Sequence, residues 1–129
     1  MPKTVFDTRF FIEHYYSSDE KVLRRTKEEL KRRTKERYIS ALVIHEVFWL
    51  TLEREKPEVA VLRTDLLEKD FKVVKVDAQI AKRSAELRHR YEVSMADSII
   101  AATALSLKAT CLSDDPHFVT IKEVKTRWI

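Results

Sequence analysis

"RYISALVIHEVFWL", residues 37–50, decides the fold class. "RYIS" reads as a short strand, and Ser40 then caps a helix that continues through "ALVIHEVFWLTLERE". That helix is apolar on nearly every side over its first two turns, the pattern of an element that is mostly buried. A strand that runs straight into a buried helix is half of a βαβ unit, and the same alternation repeats on both sides of it.

Toward the N-terminus, "TVFD" is a buried strand ending at Asp7, and "FFIEHYY" follows as a brief helix or turn. Ser17 and Glu20 have capping-box spacing, which predicts a helix from there to about Arg33. Toward the C-terminus, Pro57 opens a helix from about Glu58 to Lys69, "FKVVKV" is a third strand, and Asp77 caps "AQIAKRSAELRHRY". "SMADSIIAATALSLK" is a further, largely buried helix, "ATCLS" a fourth strand, and "FVTIKEV" is placed as a fifth. The strands are apolar throughout rather than alternating, so a parallel sheet covered on both faces is expected. With 129 residues and no repeat, low-complexity tract or linker, residues 1–129 are expected to form a single α/β domain.

Composition narrows the function. Glycine is absent, which excludes the glycine-rich phosphate loops of Walker and dinucleotide-binding proteins. No apolar run approaches the roughly 20 residues that span a bilayer, and the first apolar run carries an acid, unlike a signal peptide. Cys111 is the single cysteine and has no internal disulfide partner, so a cytoplasmic protein without membrane attachment is expected. Net charge is only +4, yet residues 24–37, "RRTKEELKRRTKER", hold eight basic residues against three acids. This is either a solvated helix face with Glu/Lys pairs or a phosphate-facing surface, and the two readings are compatible.

The informative side chains are carboxylates on apolar stripes, because an unpaired buried charge is costly. Glu46 shares a helix face with Leu42, Val43, Trp49 and Leu50. Asp97 has Val93, Ser94, Ile100 and Ala101 as helical neighbours; the alternative is an acid favoured by the helix dipole in a first turn. Asp7 ends a strand, where open parallel sheets bind ligands, or it caps the next turn. Asp115 follows the fourth strand and precedes Pro116, which also makes it a good N-cap. Taken together, the four can converge on one rim of the sheet. Four carboxylates in one crevice repel one another and take up protons unless a cation compensates. An all-oxygen site suits Mg²⁺ or Mn²⁺, and such a site supports phosphoryl-type chemistry.

At these residues the chain resembles the PIN-domain ribonucleases, in particular the VapC-type toxins of toxin–antitoxin pairs. "VFDTRFFI" looks like the family's first strand with its aspartate, Asp7; "YISALVIHEVFW" is similar to the block carrying Glu46. "SMADSIIAATAL" resembles the block opened by Asp97, and "CLSDDPHF" the last block, with 18 residues from Asp97 to Asp115. The resemblance covers essentially the whole chain. It implies a three-layer α/β/α domain with a five-stranded parallel sheet of order 3-2-1-4-5. It also implies a Mg²⁺- or Mn²⁺-dependent endoribonuclease that leaves a 5′-phosphate, homodimers, and an antitoxin partner that inserts a segment into the active-site groove.

Within that likeness Asp7, Asp97 and Asp115 are the metal-holding candidates, and Glu46 positions or activates water on an RNA substrate. Ser113 takes the hydroxyl position and Asp114 the variable one, where a solvated neighbour or a support for the acids is expected. Thr8 and Ser113 orient carboxylates, or serve as turn and cap residues. His117 falls where some members carry a further acid. Arg9 stands where serine or asparagine is common, and it either contacts substrate phosphate or perturbs the site. Both departures leave open a second reading, a catalytically weak or inactive PIN module that binds RNA or protein partners. A dehalogenase-type phosphatase is disfavoured, since it needs an aspartate where Arg9 stands. A receiver domain needs its acidic pair after the first strand, whereas the pair here lies late in the chain. His45 and His89 read as lone structural or solvated residues, and His14 with Tyr15 and Tyr16 as packing or a dimer contact rather than base-stacking. Trp49 and Trp128 read as core or interface residues.

Asparagine is absent and Gln79 is the single glutamine, beside abundant charge, a composition typical of heat-adapted proteins. The expected outcome of a thermal melt is a midpoint above the roughly 45–65 °C of mesophile domains; a midpoint inside that range refutes the expectation.

Overall fold

Residues 2–32 and 36–129 are described by the structure, a computed structural model. Five strands alternate with seven helices along these residues: β1 Lys3–Phe6, α1 Thr8–Tyr16, α2 Glu20–Lys31, β2 Glu36–Ser40, α3 Ala41–Arg54 and α4 Pro57–Asp70. There follow β3 Lys72–Val74, α5 Ala78–Tyr91, α6 Met95–Leu107, β4 Thr110–Leu112, α7 Pro116–Thr120 and β5 Thr126–Arg127. The sheet is parallel throughout, in the order β3-β2-β1-β4-β5. This is the expected three-layer α/β/α arrangement. The strand order turns at β1, which pairs with β2 on one side and β4 on the other, so the carboxyl ends of β1 and β4 lie together.

The local chemistry explains most element starts. Asp7, Asp19, Ser40, Asp77, Ser94 and Asp115 each accept a backbone N–H at the start of the helix that follows. Without glycine, the left-handed C-caps of α5 and α6 fall on Glu92 and Lys108, both at φ 53°.

The core centres on aromatic rings. Phe6 at the end of β1 lies edge-on to Phe10 of α1 and to Phe71 before β3, each at 4.9 Å between centroids. Phe10 and Phe11 meet edge-on at 5.3 Å, and Phe11 meets Phe71 at 5.4 Å. These contacts lock the first turn of α1 onto the end of β1, on either side of Asp7. Far from them in sequence, Arg127 of β5 grips the buried Glu29 of α2 through two hydrogen bonds of 2.9 Å, tying the edge strand to that helix. No helix among the described residues is long and apolar enough to cross a membrane.

Four expectations need correction. The fifth strand is not "FVTIKEV" but Thr126–Arg127, because Asp115 and Pro116 start a helical turn that carries Phe118 into the core before the chain returns to the sheet edge. α2 is capped by Asp19 rather than Ser17, whose hydroxyl instead accepts the Asp19 N–H; its expected end at Arg33 lies outside the described residues. α1 begins at Thr8, ahead of the "FFIEHYY" run, since Asp7 caps it directly. Nor is α3 mostly buried: Val43, Val47 and Thr51 are, while Trp49 is 55% exposed. α3 packs on the sheet through one stripe only, and its outer apolar residues stay on the surface, as do Val61, Leu62 and Leu66 of α4. α6, by contrast, is buried as expected from Ile100 to Ala104. Trp128 is partly buried against the core, and His14 stacks on Phe10 and bonds Thr26, so both are packing residues.

Phe6→Ala removes the hub of the aromatic cluster and is expected to lower unfolding free energy by about 3–5 kcal/mol in urea denaturation. A loss below about 1 kcal/mol shows that the cluster does not anchor the end of β1.

Candidate active site

The site is assembled from strand ends and helix starts. Asp7 immediately follows β1 and is buried, with only 3% of its surface exposed. Its Oδ1 accepts the Thr8 N–H at 2.8 Å and its Oδ2 accepts the Ser113 hydroxyl at 2.6 Å. Ser113 follows β4 and also accepts the Asp115 N–H at 3.0 Å, so one hydroxyl fixes two acids. Thr8 does similar work for the next acid, donating its hydroxyl to Glu46 Oε1 at 2.6 Å. Asp97 stands in the first turn of α6, where its backbone N–H is held by Ser94. Asp115 caps α7 by accepting the His117 N–H at 2.9 Å.

Hydrogen bonds thus link Asp7 to Ser113, Ser113 to Asp115 and Thr8 to Glu46, and the Asp97 and Glu46 charges act on Asp7. Asp97, Asp115 and His117 form a group whose donor atoms all lie within 4.8 Å of one another. Asp7 lies deeper, outside that group, with both oxygens already bonded. His117, which the family resemblance puts where some members carry a further acid, has its Nδ1 2.9 Å from Asp115 Oδ1 and 3.5 Å from Asp97 Oδ2. Arg9 binds Asp114 through Nε at 2.7 Å and Nη2 at 3.3 Å, at the exposed edge of the site. Asp114 thus supports Arg9 rather than joining the other acids. No sequence pattern pointed to that pair, whose members lie 105 residues apart.

The electrostatics are those of an overcrowded anionic crevice. Burial pushes the Asp7 carboxyl up to about 7, and the nearby Asp97 and Glu46 charges add to the rise against the hydrogen bonds from Ser113 and Thr8. The Asp97 carboxyl is raised as well, by burial first and then by the Asp115 charge. Arg9 is held firmly protonated by Asp114 and by the wider acidic field. Two raised carboxyls among four clustered acids fit a bound cation, which removes the repulsion that otherwise drives protonation.

A family model described as PIN domain matches residues 4–124. No curated protein matches the chain in sequence. Among solved structures, the chain is similar to one in a toxin–antitoxin complex from Klebsiella pneumoniae, with 26% identity, a TM-score of 0.76, and coverage of 98% of this chain and 99% of that one. It is also similar to a chain of VapBC2 from Rickettsia felis bound to a promoter DNA fragment, with 16% identity, a TM-score of 0.79 and 98% coverage of each chain. A third likeness is to VapC20 of Mycobacterium tuberculosis, a sarcin-ricin loop cleaving toxin, with 18% identity and a TM-score of 0.74 over 88% of this chain and 90% of that one. At their identities the last two establish likeness of fold.

The raised Asp7 carboxyl gives the metal-free protein a definite pH dependence. Below the ordinary value of 3.8, folded and unfolded states both hold the proton; between there and about 7 the unfolded state releases it first, so stability falls as pH rises through that window and levels off above it. The shift corresponds to a loss on the order of 4 kcal/mol, to which Asp97 adds with the same sign. Urea denaturation in EDTA at pH 5 and pH 8 is expected to show this decline, and Asp7→Asn is expected to flatten most of it. An unchanged slope in the variant assigns the effect elsewhere.

Proposed function

Because the chain belongs to the PIN-domain family, we propose that it is a divalent-metal-dependent endoribonuclease, the toxin of a VapBC-type toxin–antitoxin pair. The observation that carries this reading is the convergence of Asp7, Glu46, Asp97 and Asp115 on one rim of the sheet, with Ser113 and Thr8 bonded to them. Mg²⁺ or Mn²⁺ is the cofactor that suits such a donor set. When bound, the ion polarises a water and offsets the charge that builds up on a phosphodiester.

Asp97 and Asp115 would hold the ion, with buried Asp7 behind them as the third candidate ligand. Glu46, oriented by Thr8, takes the proton of the attacking water. The water oxygen bonds to phosphorus in line with the departing 3′ oxygen, the P–O3′ bond breaks, the 3′ oxygen takes a proton from solvent water, and the products carry a 5′-phosphate and a 3′-hydroxyl. Arg9, pre-set by Asp114 at the mouth, faces an approaching phosphate. The basic residues of α2 widen the attraction for RNA.

The similar chains in toxin–antitoxin complexes support an antitoxin as a protein partner. Exposed apolar residues concentrate on α3 and α4 and supply surface for that partner or for a second copy in a homodimer. The competing reading, a module that binds RNA without cutting it, draws on His117, which stands against two of the acids.

Purified protein incubated with varied RNAs and Mn²⁺ or Mg²⁺ is expected to cleave, and EDTA to stop it. Asp97→Asn and Asp115→Asn are expected to lose at least about 100-fold in rate, while Asp114→Asn keeps most of it. Metal-independent cleavage, or a fully active Asp97→Asn protein, refutes the mechanism. Binding without cleavage under any metal favours the competing reading, and equal losses at Asp114 and Asp115 overturn the different jobs given to the pair.

A further inference from the structure

We infer that the His117 imidazole is itself a ligand of the divalent cation, so that the site prefers Mn²⁺ to Mg²⁺; this rests on the metal site proposed above.

The argument starts from "DDPH". Asp115 caps α7, Pro116 occupies its first position, and the cap bond holds the His117 N–H on Asp115 Oδ1. The backbone of His117 is therefore tied to the carboxylate that its own side chain approaches. From this start the ring turns inward: although the side chain is 64% exposed, Nδ1 lies 2.9 Å from Asp115 Oδ1 and 3.5 Å from Asp97 Oδ2. Two donors in adjacent positions on an octahedral ion with bonds near 2.1 Å are about 3.0 Å apart. The two distances bracket that edge. Asp97 comes from α6, whereas Asp115 and His117 come from the cap and first turn of α7, so the meeting of the pair with Asp97 is a tertiary one.

The donor set then selects the ion. Mg²⁺ is a hard cation that keeps oxygen ligands and several waters. Imidazole nitrogen suits first-row transition ions, and Mn²⁺ combines that tolerance with the octahedral carboxylate–water geometry that two aspartates impose. A neutral imidazole at this position also adds a donor without adding a fifth negative charge to a crevice already crowded with four.

An ion pair between a protonated His117 and the two acids produces similar distances, so the decisive measurement reads the nitrogen directly. Mn²⁺ is added to the intact protein and pulsed electron paramagnetic resonance records ¹⁴N modulation. The affinities for Mn²⁺ and Mg²⁺ are measured in parallel by calorimetry on wild type and on His117→Asp, with circular dichroism to confirm folding. The expected result is ¹⁴N modulation in wild type that His117→Asp abolishes while still binding Mn²⁺. The preference for Mn²⁺ over Mg²⁺ is expected to drop about tenfold in the variant. Mn²⁺ bound in wild type without ¹⁴N modulation, or an unchanged preference in His117→Asp, overturns the inference and leaves the carboxylate site standing. Failure of wild type to bind any divalent cation overturns both.

Discussion

The Ser113 hydroxyl sits between two acids, donating to buried Asp7 and accepting from the backbone of Asp115. Its position is set by sheet pairing. Phe6 is in register with Leu112, the Asp7 N–H reaches the Leu112 carbonyl at 3.1 Å, and the Ser113 N–H reaches the Arg127 carbonyl at 3.0 Å. Moving any of the three strands by one residue turns the side chains that follow it to the other face of the sheet. The acids then no longer meet. The parallel register of β1, β4 and β5 is thus the constraint on which the chemistry depends.

Much of the remaining structure serves that register. The aromatic cluster fixes the exit of β1, and the bidentate Glu29–Arg127 pair fixes β5, the shortest strand, against α2. A two-residue edge strand has little hydrogen bonding of its own to hold it. A charge-assisted pair with a buried glutamate supplies what the ladder lacks. The tyrosine–arginine group at the far end of α1 does comparable work, with Arg63 of α4 bonded to Tyr16 and Glu55 and stacked over Tyr15. These are anchors for helices rather than reactants.

Strands and acids were legible in the sequence because each leaves a local mark, whereas the strand order came only with the family resemblance. Buried strands are continuous apolar runs, N-caps are short polar residues before helices, and misplaced carboxylates interrupt apolar stripes. What stayed hidden depends on distant partners. Nothing around Arg9 announces Asp114, and nothing around Glu29 announces Arg127. α3 as a whole read as buried because its apolar first turns gave no sign that Trp49 and Leu52, further along, face outward. "FVTIKEV" read as a strand because its β-branched residues outweighed the Asp–Pro start just before it. The position of His117 was visible, but the turn of its ring toward Asp97 was not.

The left-handed caps at Glu92 and Lys108 bear on how the site behaves over time. They end α5 and α6, so one lies shortly before and one directly after α6, the helix that carries Asp97. A residue with a Cβ costs roughly 1 kcal/mol more than glycine in that conformation. The same residue leaves the unfolded chain fewer conformations to regain, which offsets part of the cost through entropy. The turns flanking α6 are accordingly stiff where glycine would make them supple. Asp97 therefore sits on a helix whose flanking turns are both made without glycine, each with fewer backbone conformations open to it than a glycine turn would have.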